Sequence, residues 1–126
     1  MTTYRGAEEF AQRFDAVPDF RDGRFHFPVE DYLDAAGRKF VGRFDAQRYL
    51  ALSESIDLHR LDPAAIRAPL TVVAVSSDRL VPVEDSRALA DVIGADYHEI
   101  DSIYGHDAFL KEPAQIGAIL RDALCC

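Results

Sequence analysis

The chain has 126 residues, with 14 Lys and Arg against 22 Asp and Glu (net charge −8), 48% apolar and 29% charged residues, and a pI near 4.8. That balance is one of a folded soluble domain, and its acidity argues against duplex DNA or an anionic membrane surface as partner, because phosphate neutralisation needs a basic face. No apolar run approaches the roughly 20 residues of a spanning helix and the opening MTTYRGAEEF is no signal peptide, so the chain reads as cytosolic.

Glu8 to Phe14 is a short amphipathic stretch with Phe10 and Phe14 four positions apart. A loop containing Pro18, Asp22-Gly23 and Pro28 follows, and no strand is expected in it. Apolar residues then recur with helical spacing at Val29, Tyr32, Leu33, Ala36 and Phe40. Pro28 suits the first turn of that helix, and Glu30 and Asp31 suit the positive end of its dipole. Asp45 is placed to cap a further helix carrying Tyr49, Leu50, Leu52 and Ile56.

From Asp62 the pattern changes. Pro63 and Pro69 bracket a connector, after which Leu70 to Val75 runs without polar alternation, as a strand buried on both faces does in a parallel sheet. Pro82, Glu84, Asp85 and Gly94 frame a helix over residues 83–93. A shorter strand is expected at Tyr97 to Ile100, then a turn at Gly105. The last amphipathic helix runs from about Pro113, with Ile116, Ile119, Leu120 and Leu124 on one face. This β-α-β-α order implies a right-handed crossover and a parallel pair. Two parallel strands make a poor core by themselves, so the fold class is α/β and the second half reads as the end of a larger sheet.

In open parallel sheets, reactive groups gather beyond the carboxyl ends of the strands. Two loops leave that edge here: Ser76-Ser77-Asp78-Arg79-Leu80 after the first strand and Asp101 to Asp107 after the second. Asp78 could there hold the Nδ1–H of His106, fixing its tautomer and stabilising the imidazolium formed in general-base catalysis. The order acid-then-His is the order that follows the nucleophile in α/β-hydrolases. An Asp placed like Asp78 is by itself more often a turn or helix-entry residue, and a His placed like His106 more often a loop residue; their joint placement brings the catalytic reading level with these. No serine lies in G-x-S-x-G, so Ser76 and Ser77 read as turn residues. His26, His59 and His98 lack metal-site spacing and read as surface or packing residues, and no metal site is expected. The adjacent Cys125 and Cys126 make neither a disulfide framework nor a zinc site and read as an exposed tail.

The string Ser102-Ile103-Tyr104-Gly105-His106-Asp107-Ala108-Phe109-Leu110, with Val75-Ser76-Ser77-Asp78-Arg79-Leu80-Val81-Pro82 before it, resembles the C-terminal part of the homoserine O-acyltransferases. Arg43 to Leu50 and the opening Thr3-Tyr4-Arg5-Gly6 resemble the same family's lid region and its TYRS/TYRG segment, so the likeness covers nearly the whole chain. It implies an α/β-hydrolase fold, with residues 1–62 as a helical lid region and residues 63–126 as the C-terminal βαβα part of the core. It implies transfer of an acetyl or succinyl group from CoA to the hydroxyl of L-homoserine, a step of methionine biosynthesis. Acyl-CoA would be a co-substrate, with no cofactor, and the full-length enzyme could be a homodimer. By the same resemblance Asp78 matches the triad acid, His106 the triad base and Asp107 the carboxylate that meets the substrate amino group. Tyr4 matches a tyrosine lining the homoserine pocket. The family's nucleophilic serine, its oxyanion donors and the arginine that pairs with the substrate carboxylate have no match in this chain. The chain alone is therefore expected to be inactive.

Three alternatives compete: another α/β-hydrolase such as an esterase, a serine O-acyltransferase, and a non-catalytic α/β interaction module. Asp107 directly after His106 favours an amino-acid acceptor, since a simple ester pocket has no use for a second carboxylate there.

Overall fold

A computed structural model describes residues 4–125; Thr3 of the TYRG string and Cys126 of the terminal pair lie outside the described residues. The chain divides into two units, one of Ala11–Leu61 and one of Met1–Phe10 with Asp62–Cys126. Helix α1 spans Ala7–Arg13.

The Ala11–Leu61 unit corrects one expectation. The stretch expected to lack strands is a hairpin of β1 (Asp19–Arg21) and β2 (Arg24–His26), antiparallel with Phe20 opposite Phe25 and Arg21 opposite Arg24. Asp22 and Gly23 both take positive φ, 52° and 77°, which is the backbone of a two-residue turn matched to strand twist. The Phe20 and Phe25 rings meet edge-on across the ladder, 5.1 Å between centroids. Helix α2 (Pro28–Val41) begins at the expected proline and is tied to the hairpin by Arg21–Asp31 and Arg24–Glu30 ion pairs of 2.7 and 3.1 Å. Helix α3 (Ala46–Asp57) is capped as expected: the Asp45 carboxylate accepts the Arg48 N–H at 2.8 Å.

In the other unit, β3 (Thr71–Val75) and β4 (Asp96–Ile100) pair in parallel, with Thr71 opposite Asp96 and Val75 opposite Ile100. Helix α4 (Val83–Ile93) joins them and ends on the left-handed Gly94, whose N–H returns to the Ala90 carbonyl. The expected burial of the first strand holds only at its carboxyl end. Ala74 and Val75 are buried, while Thr71 to Val73 are half-exposed, because among the described residues only one strand flanks β3. The final helix comes in two pieces, α5 (Ala108–Lys111) and α6 (Pro113–Leu124), since Pro113 cannot continue α5. The core lies where the strand ends meet these helices: Val75, Ile100 and the fully buried Ala108, packed by Val73, Tyr104, Ile116 and Ile119. Those contacts anchor the carboxyl edge of the sheet, from which both candidate loops emerge. No helix among the described residues is long and apolar enough to cross a membrane.

Candidate active site

The loop after β3 is organised around one carboxylate. The Asp78 N–H returns to the Val75 carbonyl at 3.0 Å, which closes a tight turn directly off the strand. The side chain then folds over its own loop: Oδ1 accepts the Leu80 and Val81 N–H groups at 2.8 and 3.1 Å. Those two bonds fix the carboxylate plane and leave Oδ2 to point across the sheet edge, where it meets His106 Nδ1 at 2.8 Å. Burial presses the Asp78 carboxyl upward, but the Val81 N–H, the His106 ring and the Leu80 N–H together outweigh it, and the group lies below its ordinary range. It is therefore an anion near neutral pH and acts only as an acceptor.

The loop after β4 presents the imidazole. Buried Ser102 donates to Glu112 at 2.8 Å and accepts the Tyr104 N–H at 3.1 Å, which bends the chain into a single 3₁₀ turn over Gly105–Asp107. Gly105 takes φ 60°, a conformation costly for any side chain bearing Cβ. His106 follows with its side chain 32% exposed, against 8% for Asp78. The carboxylate is shielded while the imidazole keeps access to solvent, an arrangement that would let the ring exchange a proton with a neighbouring group.

A third segment completes the cluster. Tyr4, Arg5 and Gly6 run against the turn at Ile103–Gly105 so closely that a Cβ on Gly6 would fall on the Ile103 carbonyl oxygen. One on Gly105 would come within 3.0 Å of Gly6 N and 3.2 Å of Tyr4 O. The Asp107 N–H donates to the Tyr4 carbonyl at 3.2 Å. Tyr4 thereby lies against His106, ring centroids 5.3 Å apart and tilted by 56°. Arg5 pairs with the buried Glu9 one helical turn on, and its Nε lies 3.8 Å from Asp107 Oδ2. Asp107 itself is partly exposed.

The structure thus brings Asp78, His106, Asp107 and Tyr4 into one cluster. Ser76 and Ser77 lie beside it with both hydroxyls engaged: Ser76 donates to Asp101 at 2.7 Å, and Ser77 donates to the Ser102 carbonyl. Sequence reading missed the parts of Ser77, Arg5 and Glu9. The i, i+4 spacing of Arg5 and Glu9 was the one local signal that could have revealed their pairing. Cavities adjoin the cluster, among them one of about 300 Å³ lined by Gly6, Ser76, Ser77, Asp78 and Ile103. Another of about 160 Å³ is lined by Asp78, His106, Val81 and Phe109, and one of about 480 Å³ by Arg5, Phe10, Ser77, Arg79 and Gly105. His59 is exposed, His26 lies 3.4 Å from Glu30, and no group of three or more His, Cys, Asp or Glu among the described residues could hold a metal ion.

No family model matches the chain. Among curated proteins it is 52% identical to a homoserine O-succinyltransferase of Xanthomonas campestris pv. campestris, over 98% of this chain and 34% of that protein. It is 40% identical to a homoserine O-acetyltransferase of Deinococcus radiodurans, over 96% of this chain and 37% of that protein. A serine O-succinyltransferase of Litchfieldella anticariensis is 35% identical, over 98% of this chain and 40% of that protein. The chain spans about a third of the length of the curated relatives it matches.

Proposed function

Because the chain belongs in sequence to the homoserine O-acyltransferases, we propose that it carries the acid–base half of an acyl-transfer site on part of an α/β-hydrolase fold. The observation that carries this reading is the 2.8 Å contact between Asp78 Oδ2 and His106 Nδ1 at the carboxyl ends of adjacent parallel strands. In this reading residues 1–62 include the lid and residues 63–126 the end of the core. No serine of the chain lies in G-x-S-x-G, so the nucleophile would belong to the part of its relatives that this chain does not span.

The chemistry follows from the geometry. With Nδ1–H donated to Asp78, Nε2 of His106 is the unprotonated nitrogen and can take the proton of a serine hydroxyl as its oxygen attacks the thioester of an acyl-CoA. The proton passes from Nε2 to the departing CoA sulfur, leaving an acyl-enzyme. In the second half His106 takes the proton of the acceptor hydroxyl, which attacks the acyl carbonyl, and the proton returns to the serine. Each time the imidazolium forms, the Asp78 anion stabilises it. Asp107 would receive the ammonium group of the amino-acid acceptor, L-homoserine in this reading. Two features support that role. Arg5 is closely paired with Glu9 and stands 3.8 Å from Asp107, so it offsets that carboxylate only in part, and Asp107 stays accessible. Tyr4, packed on His106, would form a wall of the acceptor pocket.

A chimera tests the reading. The chain would replace the segment it matches in the Xanthomonas homoserine O-succinyltransferase, and CoA release would be followed with homoserine or serine as acceptor and succinyl- or acetyl-CoA as donor. The chimera should acylate homoserine. His106→Ala should lower the rate by roughly 10³-fold or more and Asp78→Asn by a similar order. Asp107→Asn should act on the acceptor's KM, leaving acyl-enzyme formation intact. The chain alone should release no CoA. A chimera whose activity survives His106→Ala would overturn the assignment.

A further inference from the structure

We propose that Ser77 is the positioning residue of the Asp78–His106 pair, its hydroxyl joining the residue before the acid to the residue before the base. The proposal rests on the acid–base reading of His106 and deepens it. Ser77 Oγ donates to the Ser102 carbonyl and accepts the Gly105 N–H at 3.2 Å. A single side chain thus bridges the two strand-end loops, one position upstream of each partner. Few residues can do this. The job needs a donor and an acceptor on one atom at the end of a short stem, which a hydroxyl supplies and an amide, amine or carboxylate at that length does not.

The remaining cross-links between the loops do not duplicate it. Ser76 N–H to Ile100 C=O, at 3.0 Å, extends the ladder but stops short of the turn that carries His106. The Ser76–Asp101 bond is exposed and ties the start of the β4 loop, five positions before His106. On the acid side, Asp78 is held by its own loop through Leu80 and Val81, so its position relative to β3 is already set. What those bonds leave undetermined is the position of the Gly105–Asp107 turn relative to that carboxylate. Ser77 constrains it, since the Gly105 N–H it accepts stands at the start of that turn, one residue before His106. The Tyr4–Gly6 segment presses on the same turn from another direction, so Ser77 acts as the restraint on the acid side. Removing the hydroxyl leaves a part-buried carbonyl and N–H without this partner and lets the imidazole drift from the carboxylate. A displacement near 1 Å matters at this scale, because it can cost about 10²-fold in a positioned reaction.

The test uses this chain and needs no turnover. Hydrogen–nitrogen NMR spectra of the labelled protein should show the His106 Nδ1 proton as a downfield resonance, lost in Asp78→Asn. Ser77→Ala should weaken or abolish it and speed exchange of the Gly105 amide roughly threefold to tenfold, the range expected for one lost hydrogen bond. The Ser76 amide, bonded within the ladder, should keep its protection and so report that the sheet remains folded. Ser77→Thr and Ser77→Val have the same shape and differ in the hydroxyl: the Thr variant should retain the His106 resonance and the Val variant lose it. Ser77→Val or Ser77→Ala with the resonance and the Gly105 protection of the parent would overturn the positioning role while leaving the Asp78–His106 pair in place. A parent protein without any Asp78-dependent resonance would instead remove the pair itself, and the proposal with it.

Discussion

The close approach of Tyr4–Gly6 to the Ile103–Gly105 turn determines whether Tyr4 can stand beside His106, and it can be tested through its glycines. In Gly6→Ala the new methyl would lie on the Ile103 carbonyl oxygen and 3.1 Å from its carbon. Both are backbone atoms, so one segment must lift away from the other. Overpacking of this kind costs about 1–3 kcal/mol. Lifting the segment also lengthens the 3.2 Å Asp107 N–H to Tyr4 C=O bond, which adds about 0.5–1.5 kcal/mol. Gly6→Ala should therefore destabilise by about 1.5–4.5 kcal/mol. Gly105→Ala combines a left-handed backbone, at about 1–2 kcal/mol, with milder contacts of 3.0 to 3.3 Å to Gly6, Tyr4 and Arg5. The two share one contact. Once either methyl has opened the approach, the other meets less resistance, so the double variant should fall short of the sum of the singles by about 1 kcal/mol. Gly117→Ala provides the opposite sign in the same unit. Its methyl would make an ordinary 3.6 Å contact with the Arg121 side chain within α6, and it should stabilise by about 0.5–1 kcal/mol. Urea unfolding followed by far-ultraviolet circular dichroism, at one chain concentration, measures all four. Gly6→Ala within about 0.5 kcal/mol of the parent, or full additivity of the pair, would refute the close approach.

Two further outcomes follow from single groups. Asp78 is depressed in the folded protein from its ordinary value of 3.8, so its contribution to stability is present above that value and is lost as pH falls through the lower folded value. The urea midpoint should fall with acidification over that window, and Asp78→Asn should flatten the slope there; an unchanged slope would contradict the carboxylate's bonding. Asp45→Ala removes the acceptor of the Arg48 N–H at the start of α3 and should cost about 1 kcal/mol, read as a lower unfolding midpoint, whereas Asp45→Asn should cost little.

How much of this was legible in the sequence depended on whether the determining interaction was local. Pro82, Glu84, Asp85 and Gly94 act within one helix, and α4 has the bounds they imply, Val83–Ile93. The Leu70–Val75 run marked a strand because β-branched apolar residues need a pleated, buried surface, and β3 pairs in parallel with β4 as the element order required. The hairpin was missed although Asp22-Gly23 is a strong turn signal, because three-residue strands are too short for a period-two pattern to show. Asp78 and His106 could be paired in advance because topology alone sends both loops to one edge of the sheet. Ser77 could not. Its role depends on a carbonyl 25 positions away and an amide 28 positions away, both of them backbone groups that carry no mark in a sequence. Gly6 shares that difficulty, since what it accommodates is the backbone of Ile103 and not a side chain. In this cluster the groups proposed to do chemistry are side chains whose type announces them. What holds them in place is mostly main chain, met at distances that only the fold reveals.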